Sequence, residues 1–224
     1  MRDEWKLRAL ACHYSLAAPV YDSACAVLFY ERARARAVEL LHLEDGQTVL
    51  DVACGTGRNI PLLLERVGPR GHVIGVDYTR AMLARAREKA RRRSWQNVGF
   101  LRLDAARLSL DALRDANLLS EGEQVDAVIC TLALSCIPAW GDAYRAMLEI
   151  VRPGGRVAIM DTDYPTKAGA TGERVAIRPL QMLICKLAGV AGGRQPWLRL
   201  PHDVDDAVIE TFVGGYVGVA AGTA

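Results

Sequence analysis

The chain has 224 residues, of which 51% are hydrophobic and 24% charged, and its formal net charge is +2. This length and balance suit one α/β domain with a sizeable core and exclude a globally disordered chain. The small net charge gives no electrostatic reason to expect a nucleic-acid partner. Residues 80–93 are much more basic than the rest of the chain, with seven arginines and lysines against one glutamate. They predict a basic helix that is either a solvated surface or a contact for an anionic membrane.

The cysteines and histidines predict neither a disulfide framework nor a metal site. The six cysteines contain no CxxC pair, and the four histidines are scattered singly. Cys54, Cys130 and Cys185 stand in apolar surroundings, which is typical of buried free thiols. The charged amino terminus lacks an apolar signal segment and no run long enough to span a membrane follows, so we expect a cytoplasmic protein.

Helical patterns precede a regular alternation of strands and helices. Residues 3–17 and 24–42 are predicted helices, and apolar residues recur in the second at steps of three and four. Between them, the segment YSLAAPVYD interrupts the pattern with a proline. The first strand is predicted to begin after the turn signal EDGQ.

Five apolar strands then alternate with helical segments. They are predicted at residues 48–53, 72–78, 98–106, 125–134 and 153–163. Strands without polar alternation are covered on both faces, so the pattern predicts a doubly wound, mainly parallel sheet. A weaker helix is predicted around 108–119 and another near 173–190. Two β-rich runs that flank Gly214-Gly215 predict a closing hairpin.

The segment VLDVACGTGRN, residues 49–59, places an aspartate and two glycines between a strand and a helix. Such turns often present backbone N–H groups to phosphate, but a dinucleotide fingerprint has a third glycine where this chain has Ile60. No Lys-Ser/Thr follows at P-loop spacing. Asp51 would repel a pyrophosphate and would suit an ammonium group. A nicotinamide-dependent oxidoreductase is therefore the less favoured alternative.

Two further aspartates end the next two strands. Asp77 follows Gly57 by 20 residues, where an acid would accept hydrogen bonds from two ribose hydroxyls. Asp104 could accept from the exocyclic amine of a purine. An ammonium group, a ribose and an adenine together describe S-adenosylmethionine. A lone aspartate at a strand end often only caps a helix, but three at successive strand ends meet at the ligand-binding edge of an open sheet.

Five segments occur in the order found in the class I SAM-dependent methyltransferases, which the chain resembles: VLDVACGTGRN, VIGVDYTRAML, LRLDAARL, VDAVICTLALSCIPAW and VRPGGRVAIMD. The resemblance implies a Rossmann-like α/β fold with a seven-stranded, mainly parallel sheet and a C-terminal antiparallel hairpin. It implies a helical flap over residues 1–45, a SAM-binding domain over residues 46–224, and S-adenosylmethionine as the cofactor. The residues that it implies at the cofactor are Asp51, Ala53, Gly55, Gly57, Asn59, Asp77, Tyr78, Met82, Asp104, Ala105 and Thr131. Met82 could equally belong to the core, and Asn59 could simply cap the following helix.

Shorter sequence segments resemble particular methyltransferases and narrow the choice of methyl acceptor. YSLAAPVYD resembles the amino-terminal flap of methyltransferases with membrane substrates, both quinone C-methyltransferases and phosphatidylethanolamine N-methyltransferases. GTGRN and LALSCIPAW are similar to stretches of the lipid-headgroup N-methyltransferases. The amine of a lipid headgroup is therefore the favoured acceptor, and a quinone ring or a small soluble metabolite is the alternative. Trp5 and the basic helix would support peripheral contact with an anionic membrane, unless Trp5 packs back on the core. The oligomeric state is left open.

Methyl transfer from a sulfonium is an in-line displacement, so alignment and the exclusion of water supply most of the catalysis. The polar groups expected near the mouth of the site are mainly tyrosines. The predicted catalytic residues are Tyr21, Tyr14 and Tyr164, with Tyr21 as a hydroxyl on the flap above the methyl group. No nucleophile elbow or Ser-His-Asp pattern is present, which disfavours covalent catalysis.

Overall fold

The computed structural model of the protein describes residues 4–18, 30–162, 182, 185–186 and 194–224. Its helices are α1 (Glu4–Ala17), α2 (Glu31–Glu39), α3 (Ile60–Val67), α4 (Arg80–Arg92), α5 (Leu110–Asp115), α6 (Trp140–Ile150) and α7 (Pro196–Arg199). Its strands are β1 (Thr48–Val52), β2 (His72–Asp77), β3 (Val98–Arg102), β4 (Val125–Thr131), β5 (Val151–Thr162), β6 (Asp205–Phe212) and β7 (Val217–Thr223). Short 3-10 turns occupy Ala105–Arg107, Leu200–His202 and Val213–Gly215.

The seven strands form one sheet in the order β3-β2-β1-β4-β5-β7-β6. The first five strands are parallel, and β7 runs antiparallel to both β5 and β6. The predicted α/β fold is confirmed. The strand order reverses between β1 and β4, where Val52 pairs with Cys130 near the carboxyl edge. Open α/β sheets bind ligands at this edge and at this reversal.

Both faces of the central strands are buried because alternate side chains of a strand point to opposite faces. On β1, Leu50 and Val52 join one hydrophobic cluster and Val49 joins the other. Asp51 shares the face of Val49, which is the face covered by α2 and α3. The alternation therefore directs the Asp51 carboxylate toward these two helices.

Two strands end earlier than the apolar pattern predicted. β3 stops at Arg102 because the Asp104 carboxylate accepts a hydrogen bond from the Ala106 N–H at 3.0 Å and begins a 3-10 turn. β4 stops at Thr131 because Leu132 has a φ of 56°, which an extended strand does not allow. The antiparallel hairpin is present, but a 3-10 turn joins β6 to β7 instead of a two-residue turn. The predicted helix around 108–119 is the shorter α5, which Ser109 caps through the Ala112 N–H.

Helix α2 is part of the layer that covers the sheet. Its residues Ala33 and Ala37 are fully buried, and Arg36 contacts Glu210 of β6 at 2.7 Å. The proposed boundary at residue 45 stays a prediction. Most of the predicted helix near 173–190 and the first part of the predicted helix 24–42 lie outside the described residues. No helix among the described residues is both long and apolar enough to cross a membrane.

Candidate active site

A cavity opens at the carboxyl edge of β1, β2 and β4, beneath α1. Strand tips meet here because the strands are parallel, so residues far apart in sequence line one space. Eight of the eleven predicted cofactor residues line this cavity: Ala53, Gly55, Asp77, Tyr78, Met82, Asp104, Ala105 and Thr131. Met82 is 2% exposed, so it belongs both to the core and to the cavity wall. The roles of these residues toward a ligand stay predictions.

A buried polar network lies beside the lining residue Thr131. The Asn59 Nδ2 group donates to Asp51 Oδ1 at 2.7 Å and to Thr131 Oγ1 at 3.1 Å. Asn59 occupies the N-cap position of α3 but makes no capping side-chain bond. Its amide therefore orients Asp51 instead of capping the helix. Arg34 of α2, which was not among the predicted site residues, donates to Asn59 Oδ1 and, at 3.0 Å, to Thr131 Oγ1.

Asp51 is an electrostatically unusual member of this network. It is completely buried, and its Oδ2 atom has no hydrogen-bond partner among the described residues. Burial raises the pKa of Asp51 to about 7, although the Asn59 amide and the Arg34 charge act to lower it. An unpaired oxygen of this kind costs stability unless a ligand satisfies it. The arrangement suits a cationic group such as an ammonium.

Asp77 and Asp104 hold the local backbone and still face the cavity. Asp77 accepts from the Gly55 N–H at 2.9 Å and from the Thr79 N–H at 2.6 Å, which ties the glycine turn to the end of β2. Burial raises the pKa of Asp77, while these N–H groups lower it. Each carboxylate oxygen has a second lone pair, so both side chains can also accept from a ligand. The structural and ligand-binding interpretations of these aspartates are therefore compatible.

The backbone at two strand tips is in the left-handed region. Ala53 follows β1 with a φ of 55°, and Leu132 follows β4 with a φ of 56°. Such conformations are unfavourable for non-glycine residues and cluster at ligand sites. Gly57 has a φ of 77°, and a Cβ atom there would lie 2.8 Å from Ile60 Cδ1. Ile60 stands where the dinucleotide pattern has its third glycine, and it therefore packs against the second glycine, Gly57.

We expect Gly57→Ala to destabilise the protein by about 1 kcal/mol more than Gly46→Ala, because both changes strain the backbone but only the first also crowds a side chain. Gly46 has a φ of 93° and open space around the position of a Cβ atom, so it is the matched control. Urea unfolding of the two variants measures the difference. Equal losses of unfolding free energy would show that Ile60 adapts without cost.

Helix α1 closes the cavity with one apolar stripe. Tyr14, a predicted catalytic residue, lies in this wall, and its hydroxyl contacts Cys136 Sγ at 3.8 Å. Trp5 is 65% exposed, so it does not pack back on the core. Tyr21 and Tyr164 lie outside the described residues. The α1 residues in the wall are Leu7, Leu10, Ala11 and Tyr14, and they face Cys136 and Ile137.

The residues in and beside the cavity are chemically complementary to a nucleoside that carries an amino acid. Asp51 has an unsatisfied oxygen for an ammonium group, and Asp77 and Asp104 line the cavity where hydroxyl and amine donors would lie. The glycine turn leaves open space at Gly55, where an added Cβ atom would meet nothing within 4 Å. These features match the three parts of S-adenosylmethionine named from the sequence.

Comparison with known families identifies the domain. A family model described as a methyltransferase domain matches residues 43–186, which is more than half of the chain. The chain belongs to this methyltransferase family. The predicted methyltransferase domain is thereby confirmed. S-adenosylmethionine stays the predicted cofactor.

Individual relatives of this methyltransferase differ in their acceptors. The chain is 29% identical to the demethylmenaquinone methyltransferase of Listeria welshimeri over an alignment of 154 residues. This alignment covers 67% of this chain and 61% of that protein. The chain is 35% identical over 116 residues to the arsenite methyltransferase of Halobacterium salinarum, over 52% of this chain and 27% of that protein. The chain therefore spans about three fifths of the length of the first relative. A SAM-dependent methyltransferase from Aquifex aeolicus shares the fold, with a TM-score of 0.55 and 20% identity over 85% of this chain and 88% of that one.

Proposed function

We propose that this methyltransferase transfers a methyl group from S-adenosylmethionine to the ring of a quinone of the demethylmenaquinone type. The observation that carries the proposal is the identity of 29% with a demethylmenaquinone methyltransferase over 67% of the chain. This acceptor was the alternative in the sequence analysis. It is now favoured over the amine of a lipid headgroup, which none of the relatives described above supports.

The chemistry of the cavity wall supports a flat, apolar acceptor. The stripe on α1 presents leucines and an alanine, and Ile137 faces it. A planar ring binds through contact area with such side chains.

The protein needs to align the reacting groups and to exclude water. When bound, S-adenosylmethionine supplies a methyl group on a positively charged sulfur. In the reduced acceptor, loss of a hydroxyl proton makes the adjacent ring carbon nucleophilic. A carbon–carbon bond then forms as the sulfur–carbon bond breaks, and the ring carbon loses its proton to restore the aromatic ring. Holding the two groups in contact and in line supplies much of the rate.

We propose separate roles for the three predicted catalytic tyrosines. Tyr14 lies in the cavity wall and would orient the ring. Tyr21 and Tyr164 remain predicted catalytic residues, with Tyr21 as the first choice, a hydroxyl above the methyl group.

Purified protein incubated with S-adenosylmethionine and three acceptors in parallel tests the proposal. The acceptors are reduced demethylmenaquinone, phosphatidylethanolamine and arsenite, and mass spectrometry identifies each product. We expect the quinone to be methylated at least tenfold faster than the other two. Methylated phosphatidylethanolamine or arsenic without methylated quinone would overturn the proposal. The variant Asp77→Ala is the control for methylation that does not require the cofactor site.

We also propose peripheral contact with an anionic bilayer through α4. Arg80 and Arg85 are exposed on this helix, and Glu88 pairs with Arg91 and Arg92. Each cation near an anionic surface contributes about 1 kcal/mol of binding. The same assay, run with the quinone in vesicles, should therefore be faster when part of the neutral lipid is replaced by anionic lipid. Equal rates would contradict an electrostatic contact.

A further inference from the structure

One buried acid lies outside the network around Asp51 and does not itself line the cavity. Asp161 stands at the carboxyl end of β5 and is 1% exposed. It shares a strand face with Ile159, on the side of the sheet opposite Val49 and Asp51. Its carboxylate accepts from the Ser135 hydroxyl at 2.6 Å and from the Ser135 N–H at 2.8 Å. Burial of a carboxylate costs free energy, and groups of this kind are often functional.

A series of hydrogen-bonding groups connects Asp161 to the cavity. The Ser135 Oγ atom lies 3.7 Å from Cys136 Sγ, and the Tyr14 hydroxyl lies 3.8 Å from the same sulfur. Cys136 and Tyr14 line the cavity, whereas Ser135 and Asp161 are buried behind it. A thiol is a weak donor and a weak acceptor, so it can link two hydroxyl groups. Three proton-bearing side chains therefore lead from the cavity to a buried carboxylate.

The donors in this series all point the same way. An ionised carboxylate only accepts, so the Ser135 hydroxyl donates to Asp161. The Ser135 oxygen can then accept from the Cys136 thiol, and the Cys136 sulfur accepts from the Tyr14 hydroxyl. A phenol oxygen also has acceptor lone pairs, so Tyr14 can accept from a hydroxyl in the cavity. A proton that enters at Tyr14 can therefore pass from group to group and end on Asp161.

We propose that Asp161 takes up the proton that the methyl acceptor loses, and that Tyr14, Cys136 and Ser135 carry the proton to it. These four residues are the proton chain. The inference rests on the proposed function, in which a hydroxyl of the acceptor must be deprotonated before the ring carbon attacks.

The proton chain balances as follows. The O–H bond of the acceptor breaks, its electron pair stays on the acceptor oxygen, and each member of the chain passes on one proton as it receives another. The result is an acceptor anion and a neutral Asp161 carboxyl. The anion then forms its bond to the methyl group through the ring carbon. After the ring carbon has released its own proton to water, the chain can return the stored proton to the acceptor oxygen.

The titratable and charged neighbours of Asp161 agree with this direction of transfer. Burial raises the pKa of Asp161 to about 6, although the donors of Ser135 lower it. A base with this pKa is ionised at neutral pH and can still hold a proton. Burial and the nearby Asp161 charge raise the pKa of Cys136 to about 12 and also raise that of Cys130, so both thiols keep their protons. Arg194 contributes a nearby positive charge, and its guanidinium donates to the Ser135 carbonyl oxygen at 3.5 Å.

A purely structural role for Asp161 makes a different prediction. In that case the carboxylate would only hold the loop of residues 132–137, which supplies several side chains to the cavity wall. Its loss would then weaken ligand binding and lower the rate at every pH. In a proton chain its loss lowers the rate mainly at low and neutral pH, because the acceptor ionises without help at higher pH.

The rate of quinone methylation between pH 5 and pH 9, measured without oxygen and at saturating S-adenosylmethionine, tests the proposal. In the wild-type protein kcat should fall as the pH drops below about 6, because a protonated Asp161 cannot accept. Asp161→Asn should have a kcat at least tenfold lower at pH 7, and this deficit should largely disappear by pH 9. Its affinity for S-adenosylhomocysteine should stay within threefold of the wild-type value.

The matched control is Asp126→Asn, at the opposite end of the sheet. Asp126 accepts from the Thr48 N–H at 2.8 Å and from Arg152 Nε at 2.7 Å, so its replacement also removes buried or half-buried hydrogen bonds. The cavity lining does not include it. Its pH profile for kcat should match that of the wild-type protein.

A second pair of variants tests the middle of the proton chain. Cys136→Ser keeps a group that can pass on a proton, whereas Cys136→Ala removes it. We expect kcat at pH 7 to be at least fivefold higher in Cys136→Ser than in Cys136→Ala. Equal values in the two variants would overturn the proposal, as would a deficit in Asp161→Asn that is the same at every pH. Thermal unfolding shows whether each variant is folded, and if Asp161→Asn is not, the Cys136 pair decides.

The identity of the acceptor is decided separately from the proton chain. If the wild-type protein methylates phosphatidylethanolamine instead of the quinone, the proposed function fails, and the same variants are compared with that acceptor, whose ammonium group must also lose a proton. The pH profiles then support or overturn the proton chain as before. Methylation of arsenite alone, which reacts through a lone pair on arsenic, or of none of the three acceptors would overturn it.

Discussion

Replacing Asp77 with alanine is expected to weaken the binding of S-adenosylhomocysteine by at least tenfold, or about 1.4 kcal/mol. Two contributions are lost together. The carboxylate lines the cavity, where it can accept charge-assisted hydrogen bonds from ribose hydroxyls. It also accepts from the N–H groups of Gly55 and Thr79, which fixes the glycine turn. Calorimetric titration of the variant measures the loss.

A matched control for this change is Asp111→Ala. Asp111 lies on α5 with a side chain that is 89% exposed, and the cavity lining does not include it. Its replacement should leave the affinity for S-adenosylhomocysteine unchanged. Wild-type affinity in Asp77→Ala would remove Asp77 from the cofactor site.

Replacing Asp51 with asparagine should have opposite effects on stability and on binding. Burial raises the pKa of Asp51 from 3.8 to about 7, so the folded protein holds this proton more tightly than the unfolded chain. The contribution of the carboxyl to stability is therefore largest below about pH 4 and is lost as the pH rises to about 7. A shift of this size corresponds to a cost of up to about 4 kcal/mol at pH 8. Asparagine avoids that cost, and its side-chain oxygen can still accept from Asn59.

Urea unfolding of the cofactor-free protein at pH 5 and pH 8 checks the first effect. Asp51→Asn should be more stable than the wild-type protein, and the difference should be about 2 kcal/mol larger at pH 8 than at pH 5. Asp161 is also buried, with a pKa raised to about 6, so both proteins should still lose some stability as the pH rises. Asp115→Asn, on the exposed side of α5, is the control. A variant less stable than the wild-type protein at pH 8 would contradict this account.

The second effect of Asp51→Asn concerns the cofactor. The variant should bind S-adenosylhomocysteine at least tenfold more weakly, because the ammonium group loses a buried anionic partner. In the wild-type protein the affinity should rise between pH 6 and pH 8 as Asp51 becomes ionised. Unchanged affinity in the variant would show that the ammonium group binds elsewhere.

Much of the fold was predictable because it depends on local periodicity. Apolar runs without polar alternation predicted the five parallel strands, and the glycine pair predicted the closing hairpin. The strand ends were less predictable: Leu132 is an apolar residue that sequence pattern alone would place in β4, but its positive φ ends the strand. The aspartates were found because parallel strands bring their carboxyl ends to one edge, which is a general property of the fold.

Arg34 could have been noticed from sequence as a charged residue within an apolar stripe. It lies four residues after Tyr30 and one after Ala33, on the face of α2 that is buried. What the stripe could not show is which strand face α2 covers, because that depends on contacts between residues nearly a hundred positions apart, such as Arg34 and Thr131. The same limit applied to α1: the sequence predicted this helix, but not which of its side chains form the wall of the cavity.

The amino-acid sequence by itself determined the α/β class, the parallel strands and the three acidic strand ends, because these depend on spacing along the chain and on one general rule for open sheets. Only the tertiary structure decided that Arg34, Asn59 and Asp51 form one buried network and which side chains of α1 form the wall of the cavity. Side chains from separate elements meet through long-range packing, and the free energy of burying their charges depends on neighbours that local sequence does not specify.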